Sequence, residues 1–385
     1  MRDIVRKKQI IYLILFIFIV TAAIISGCGS RDSQNNSVPA VPENSVIPDK
    51  EMNKPSQNQE KETSAEKNTG EESTAKNSGN KTDPQEEPSK DLPEKTSGKS
   101  NTVKLMITKN FGSQTLVEKQ VALKSNWTVI DLLESTAKIT TKWDGSFVNS
   151  IDGLESQSGG FSRDGLDWFY YINGICSDVG ADGYDLKTGE TVWWDYHAWK
   201  SMGSANSAVI GCYPEPFIHG YGGTIKATTV MASKENVKLA ESLKNSLMSR
   251  GVGTINIKNL DNNLLEKRQV PTIVIGTWNE LKLLDWLEEF NKAYKKTGVS
   301  ARFTDKGLEL LDYGGNAVQT VQESAGIIAA SGSGLGDDSP LWLIAGTDQA
   351  GLNLAVDILV KNPAKISGFY SAVISSNKIY RLPLQ

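Results

Sequence analysis

The sequence predicts a small α+β domain followed by a separate α/β layered domain, both carried on a disordered N-terminal stalk. Three observations predict this. From Gly29 to about Asn101, Ser, Asn, Lys, Glu, Gln, Thr and Pro dominate and aromatic residues are absent. Between residues 102 and 200, short strand-period runs surround one short helical segment. Beyond Gly222-Gly223, strand-like runs alternate with amphipathic helices, the grammar of a layered α/β domain.

The stalk follows from composition. A segment so poor in apolar side chains buries too little surface to offset its ordering entropy. As a flexible coil of about seventy residues it would reach on the order of 45–50 Å. Order begins at Thr102. Val103 to Thr108 alternates in the strand period, and Glu118 to Leu123 reads as its hairpin partner. Asn126 or Thr128 then caps a short helix whose Val129, Leu132 and Leu133 face inward. Phe147 to Leu154 reads as a strand leading into a turn. Trp168 to Ile172 is a strand closed by the turn pair Asn173-Gly174, and Thr191 to Trp199 is a further strand. This order of elements suggests a unit resembling a β-grasp.

In the second domain, Thr224 to Met231 is strand-like. Lys234 to Arg250 is an amphipathic helix with Val237, Ala240, Leu243, Leu247 and Met248 on one side, stopped by Gly251. Strands are expected at Thr254–Lys258 and Thr272–Gly276, and a second helix from Asn279 to Lys296. Strands at Ala301–Phe303 and Leu308–Leu311 precede a third helix, about Asn316 to Ala330. Leu341–Ala345 is a buried strand, and Gln349 to Val360 a fourth helix. Ile210 to Tyr221, rich in Pro and aromatic residues, is expected to pack the two domains together and to border a ligand cleft.

The N-terminus sets the compartment. Arg6-Lys7-Lys8 precedes an apolar run from Ile10 to Ile25, which ends in Ile25-Ser26-Gly27-Cys28. This resembles a bacterial lipoprotein signal, and the tetrapeptide matches its lipobox. The resemblance implies cleavage after residue 27, lipidation of Cys28, and a mature chain held on the extracellular face of a cell membrane. The run is also barely long enough for an uncleaved transmembrane anchor. The domain plan is then a signal peptide over 1–27, a lipidated cysteine and linker over 28–101, and folded domains over 102–200 and 201–385. Residues 201–223 connect the two folded domains.

A net charge of −4 over 385 residues gives no electrostatic case for nucleic acid. Cys176 and Cys212, both exported, leave open either a disulfide or two free thiols. Two thiols and two histidines (His197, His219) make a metal site improbable. Ser331-Gly332-Ser333-Gly334-Leu335-Gly336 looks like a phosphate loop but is read as following a helix and preceding a strand, the reverse of what a phosphate cradle needs. Asp337-Asp338 beside it reads as a solvated turn. No nucleophile elbow, zinc-protease motif or acid pair is present, so no catalytic residue is assigned and the chain is expected not to be an enzyme.

Six of the nine tryptophans (Trp127, Trp143, Trp168, Trp193, Trp194 and Trp199) fall within residues 102–200. Neighbours on a strand point to opposite faces, so Trp193 and Trp194 cannot share one core, nor can Tyr170 and Tyr171. One of each pair is expected to face outward or towards a partner. Asp152-Gly153-Leu154, Trp168 to Gly174, Val179 to Glu190 and Val192 to Tyr196 together resemble the transcobalamin C-terminal-like domain, over about residues 102–200. In the vitamin B12 carriers that domain is paired with an α-helical barrel. Here that partner is missing, and an unfamiliar α/β domain follows instead.

The resemblance implies a corrinoid as transported ligand, with no resident cofactor. Trp168, Tyr170, Tyr171, Trp193, Trp194 and Tyr196 would form an apolar shelf. Asn173, Gly174, Val179 and Gly180 would meet the amide-bearing rim, the glycines letting main chain approach closely. An imidazole can also reach cobalt axially, although a lone histidine beside aromatics is more often a hydrogen-bonded structural residue. The expected function is corrinoid capture for an energy-coupling-factor or ATP-binding-cassette importer. The alternative is an adhesion or structural surface protein that binds cell-wall glycan or a protein through its aromatic face.

Overall fold

The computed structural model describes residues 101–142, 145, 147–159, 164–199 and 206–385. The signal segment, Cys28, the linker to residue 100 and Trp143 lie outside the described residues. The chain is mixed α and β, mostly sheet with few helices.

The first lobe is a five-stranded sheet and a small three-stranded one. Strands β1 (Thr102–Lys109) and β2 (Gln114–Ala122) form the expected hairpin. Helix α1 (Val129–Glu134) follows, with Val129, Leu132 and Leu133 buried. Thr128 is its N-cap, and a capping box with Asp131 satisfies donors at both ends of the first turn. Strands β3 (Ile139–Lys142), β4 (Phe147–Ile151) and β5 (Leu154–Glu155) make the small sheet. Strand β6 (Gly165–Ile172) turns through Asn173 and Gly174, both at positive φ, into β7 (Ile175–Cys176). An Asn-Gly pair tolerates that conformation at little cost, so the hairpin register is set there. Strand β8 (Thr191–Trp199) then inserts beside β1 in parallel, giving the order β2-β1-β8-β6-β7.

The second lobe is built on a seven-stranded sheet. Its strands are β9 (Thr228–Ala232), β10 (Ile255–Asn259), β11 (Thr272–Thr277), β15 (Ala325–Ser331), β16 (Leu341–Gly346), β17 (Ser371–Ser375) and β18 (Ile379–Leu382). They lie in the order β10-β9-β11-β16-β15-β17-β18, parallel from β10 to β16 and antiparallel beyond. Helices α2 (Val237–Ser249) and α6 (Gln349–Lys361) cover one face, where Ile273, Ile275, Trp342 and Ile344 point. The other face, with Val274, Leu341, Leu343 and Ala345, is covered by short helices and a three-stranded sheet. These are α3 (Asn262–Glu266), α4 (Trp278–Leu281), α5 (Asp285–Lys292), and β12 (Ala301–Thr304), β13 (Gly307–Leu311) and β14 (Ala317–Val321). A sheet buried on both faces needs unbroken apolar strands, which is why Leu341 to Ala345 reads as one.

Three expectations are corrected. The helix expected over Asn316–Ala330 is the pair of strands β14 and β15. Val318, Thr320, Val321, Ile327 and Ile328 are β-branched, and every residue of β15 is buried, so its apolar run serves two faces rather than one helical stripe. The loop at Ser331–Gly336 therefore joins two antiparallel strands. The helix expected over Asn279–Lys296 is broken into α4, α5 and a 3₁₀ turn at Tyr294–Lys296. Leu281 and Leu287 are both fully buried. Six residues apart on one straight helix they would sit about 120° from each other. The break leaves Leu283 exposed and turns both inward. In α2, Val237 and Met248 are exposed, and Ala240, Leu243 and Leu247 carry the packing.

Residues 206–221 run between the lobes and bond to both. Cys176 N donates to Ser207 O, Val209 N to Gly174 O, Ile210 N to Tyr370 O, and Gly368 N to Gly211 O. A shared hydrophobic cluster of Met106, Phe111, Tyr171, Cys176, Trp193, Val209, Cys212 and Tyr370 seals the junction. The described residues all fall within one compact unit.

Glu190 is fully buried, with the Lys187 and His219 side chains acting on it only through space. Its carboxylate accepts the Tyr184 hydroxyl at 2.9 Å and the Lys187 amide at 2.8 Å. Burial raises its pKa above the usual carboxylate value, against the lowering effect of those bonds. An acid whose folded pKa is raised favours the fold most when protonated. Its contribution is therefore fully present below the unfolded value of about 4.3 and is lost as pH rises through the folded value. Urea midpoints of wild type and Glu190→Gln should diverge across that window, the wild type losing more stability as pH rises. Parallel pH profiles would rule this assignment out.

Candidate functional site

A cleft of about 520 Å³ lies between the lobes, within the usual ~300–1,000 Å³ of small-molecule sites. The first lobe contributes Phe111, Phe169, Tyr170 and His197 to its wall, and the second contributes Tyr294, Tyr313 and Leu335.

Strand parity places these groups. On β8, Trp193, Asp195 and His197 face the second lobe, while Trp194 and Tyr196 enter the first lobe's own core. On β6, Phe169 and Tyr171 share the outward face, and Trp168 and Ile172 the core. Adjacent aromatics do part to opposite faces, and the partner that one of them meets is Tyr370 of the second lobe. The rings of Trp193 and Tyr171 lie edge-on to Tyr370 at 5.3 and 5.6 Å.

The exposed shelf expected from sequence is therefore not present. Tyr171, Trp193 and Trp194 are essentially inaccessible. Trp168 donates from Nε1 to Leu154 O at 3.0 Å, and Tyr196 from its hydroxyl to Glu155 O at 2.6 Å, so both hold the first lobe's core. Asn173 bridges Gly220 O and Thr191 N, each at 2.8 Å, and Gly174 packs beneath Val209 O. Val179 is exposed and its carbonyl accepts the Tyr170 hydroxyl, while the Gly180 carbonyl accepts Gly183 N at 2.9 Å. Of the ten residues, only Trp168 and Tyr170 reach the cleft wall. The cleft is also not bordered by residues 210–221.

Sequence reasoning missed Phe111, Phe169, Tyr313 and Leu335, and set His197 aside. The available signal was the parity of β8, which puts Asp195 and His197 on the outward face with Trp193. Asp195 is fully buried and accepts five donors. They are Phe111 N at 2.9 Å, Gly112 N at 2.9 Å, His197 Nδ1 at 2.8 Å, Tyr370 OH at 3.3 Å, and Thr108 Oγ1. The turn between β1 and β2 is thereby fixed, and with it the Phe111 ring. Phe169, His197, Phe111 and Tyr313 form a ladder of rings, with successive centroids 4.3, 4.3 and 5.9 Å apart. The Tyr313 hydroxyl donates to Asp164 across the cleft mouth, which raises its pKa.

Cys176 and Cys212 are free, buried thiols, not a disulfide. The Cys212 side chain packs over Gly174, two residues along the strand from Cys176. Burial pushes both thiols up to about 12, so neither supplies a thiolate at neutral pH. His219 bonds Glu215 through Nδ1 at 2.6 Å and lies outside the cleft wall. Asp337 pairs with Arg268 and Asp338 with Lys226, tying the loop between β15 and β16 to the segments before β9 and after α3. Among the described residues no group of three or more His, Cys, Asp or Glu could hold a metal ion, and no helix is long and apolar enough to cross a membrane.

Residues 126–198 match a family described as a domain of unknown function, DUF4430. The match runs from the N-cap region of α1 through β8. No curated protein matches the chain.

Proposed function

We propose that the chain is a surface-anchored carrier that holds a corrinoid in the cleft between its lobes and passes it to a membrane importer. The observation that carries this reading is the cleft of about 520 Å³ with aromatic walls from both lobes. A corrin offers broad apolar faces and an amide-bearing rim. Flat aromatic walls suit the faces, and an open mouth leaves the rim in water. The cleft is narrower than a whole cobalamin, so the macrocycle enters by one edge. Each aromatic side chain covered contributes roughly 4–6 kcal/mol gross, much of it offset by lost rigid-body freedom.

Two further observations support the reading. The order β2-β1-β8-β6-β7, with a parallel central pair, suits a β-grasp. The matched residues 126–198 also contain the motifs on which the resemblance to the transcobalamin C-terminal-like domain rests, and the family name is associated with such domains. The adhesion alternative draws less support. It needs an open aromatic face, and Tyr313 is the one aromatic among the large exposed hydrophobics of the described residues. In this reading Cys28 holds the chain in the lipid, the stalk spans the distance to the importer, and the chain performs no catalysis.

The test is a calorimetric titration of residues 91–385 with cyanocobalamin and with cobinamide. Saturable binding is expected, weakened about 30-fold or more in Phe169→Ala, a loss of about 2 kcal/mol. Absence of binding to either ligand at high micromolar concentration would overturn the proposal. Trp168 and Trp194 are unsuitable probes, since their loss would disturb the core.

A further inference from the structure

We infer that Tyr313 is a latch across the mouth of the cleft, held shut in the empty protein by Asp164 and Phe111 and opened by rotation of its own side chain. The latch governs access to the cleft whatever the ligand, so it does not rest on the corrinoid reading.

The lobes are not built to open the cleft by moving apart. Phe111, Tyr171, Trp193 and Tyr370 pack across their junction, and Asp195 of the first lobe accepts the Tyr370 hydroxyl of the second. Packed interfaces of this kind do not deform continuously. The passage therefore widens at its rim, where partly exposed side chains can turn. Two exposed apolar side chains stand on the cleft wall, Tyr313 and Leu335. Leu335 belongs to a loop pinned on both sides, by Gly332 N to Ser207 Oγ at 2.7 Å and by Gly336 N to Cys176 O at 2.8 Å. Tyr313 stands on the turn between β13 and β14, which has its own internal bonds. Gly315 N donates to Asp312 O and Asp312 N to Asn316 O, each at 3.0 Å, and the Asp312 carboxylate accepts Asn316 N at 2.8 Å. Gly315, at φ +76°, fills the left-handed position that such a turn needs. The main chain is thus fixed, and the tyrosine side chain is the moving part.

In the closed position the Tyr313 ring lies over Phe111, with centroids 5.9 Å apart and planes at 24°, and its hydroxyl donates to Asp164 of the first lobe. The receiving surface is firm, because the Phe111 amide is bonded to buried Asp195 at 2.9 Å. Tyr313 itself is 37% exposed, so water takes over its hydroxyl when the side chain turns outward. Exposed side chains change rotamer within picoseconds to nanoseconds. A hydrogen bond to a carboxylate and an offset ring stack bias that motion towards the closed position. An empty cleft that is mostly latched accepts a ligand through its open fraction, and a bound ligand leaves by the same turn.

Access can be measured with no ligand at all. Cys176 lines the cleft and Cys212 does not, and both are free, buried thiols. Burial raises both alike, to about 12, so thiolate supply does not bias a comparison between them. The full chain in detergent is treated with methyl methanethiosulfonate, and the labelling rate of each cysteine is read by peptide mass spectrometry. Tyr313→Phe keeps the ring and loses the hydroxyl bond, so Cys176 should react about tenfold faster than in wild type. Asp164→Asn leaves a neutral acceptor and should accelerate it about threefold. Cys212 should keep its wild-type rate in both variants. Equal Cys176 rates in wild type and Tyr313→Phe would overturn the inference. Equal acceleration of both thiols would overturn it too, since the substitution would then be loosening the junction. Corrinoid binding is decided by its own titration. A chain that binds no corrinoid but shows faster Cys176 labelling in Tyr313→Phe loses the carrier reading and keeps the latch.

Discussion

Replacing Asp195 with alanine is expected to destabilise the fold by about 3–5 kcal/mol, among the largest single-residue losses in the chain. The carboxylate is fully buried, and five donors from three parts of the chain converge on it: Thr108, Phe111 and Gly112 around the β1–β2 turn, His197 on its own strand, and Tyr370 of the second lobe. Removing it saves the cost of burying a charge. It also orphans the backbone amides of two buried residues, Phe111 and Gly112, at about 1–3 kcal/mol each. A relay is lost as well, since Trp193 Nε1 donates at 2.7 Å to the Thr108 hydroxyl, which donates onward to Asp195. Arg381, which reaches the Gly112 carbonyl at 2.7 Å and lies over the Phe369 ring, does not replace these bonds, because it accepts nothing. Asp195→Asn keeps the shape and one acceptor but aims an amide at donors, so it should lose less, about 1–3 kcal/mol. Urea unfolding of both variants checks the order. A loss under about 1 kcal/mol for alanine would mean that the network is not holding the junction.

That junction also marks where sequence reading reached its limit. Local chemistry was legible. Thr128 and Asp131 announce a capped helix, Asn173-Gly174 announces a hairpin, and Leu341 to Ala345 announces a strand buried on both sides. Each of these is decided within a few residues. The parity of Trp193 and Trp194 was legible too, because a strand leaves no other choice. What covers the outward face was not legible, since it comes from Tyr370, 173 residues beyond His197. The aromatic excess was therefore assigned to an open ligand shelf when most of it fills the first lobe's core and the lobe junction. The cleft wall draws Phe111 from a turn, Phe169 from a strand and Tyr313 from a hairpin in the other lobe, and no local pattern links them. The missed strands β14 and β15 fail for a related reason. Ala317, Val318 and Val321 allow a helical stripe, and the pairing of β14 with β13 and of β15 with β16 and β17 decides against it.

Gly351→Ala tests that tertiary decision, and it is expected to destabilise the protein by about 3 kcal/mol. Propensity alone predicts the opposite sign. Gly351 lies in the first turn of α6, and alanine is favoured over glycine in a helix by up to about 1 kcal/mol. Packing reverses it. A Cβ at Gly351 would stand 2.2 Å from the Ala325 carbonyl oxygen and 2.6 Å from the Ala325 nitrogen. These are main-chain atoms of β15, which cannot swing aside as a side chain would. The contact is reciprocal, since a Cβ at Gly326 would meet the Gly351 carbonyl at 2.2 Å. Helix and strand touch backbone to backbone here, and relief requires α6 to lift off the sheet. Lifting it loosens Leu352, Ala355, Val356 and Leu359, which the helix buries. Gly253→Ala is the control, because nothing lies within 4 Å of its Cβ position and its φ is not left-handed. That substitution should stabilise by about 0.4–1 kcal/mol through the unfolded chain. Opposite signs in urea unfolding would show that the close approach of α6 to β15 dominates at Gly351. A shared gain would show instead that the helix sits further from the strand and that propensity governs both positions.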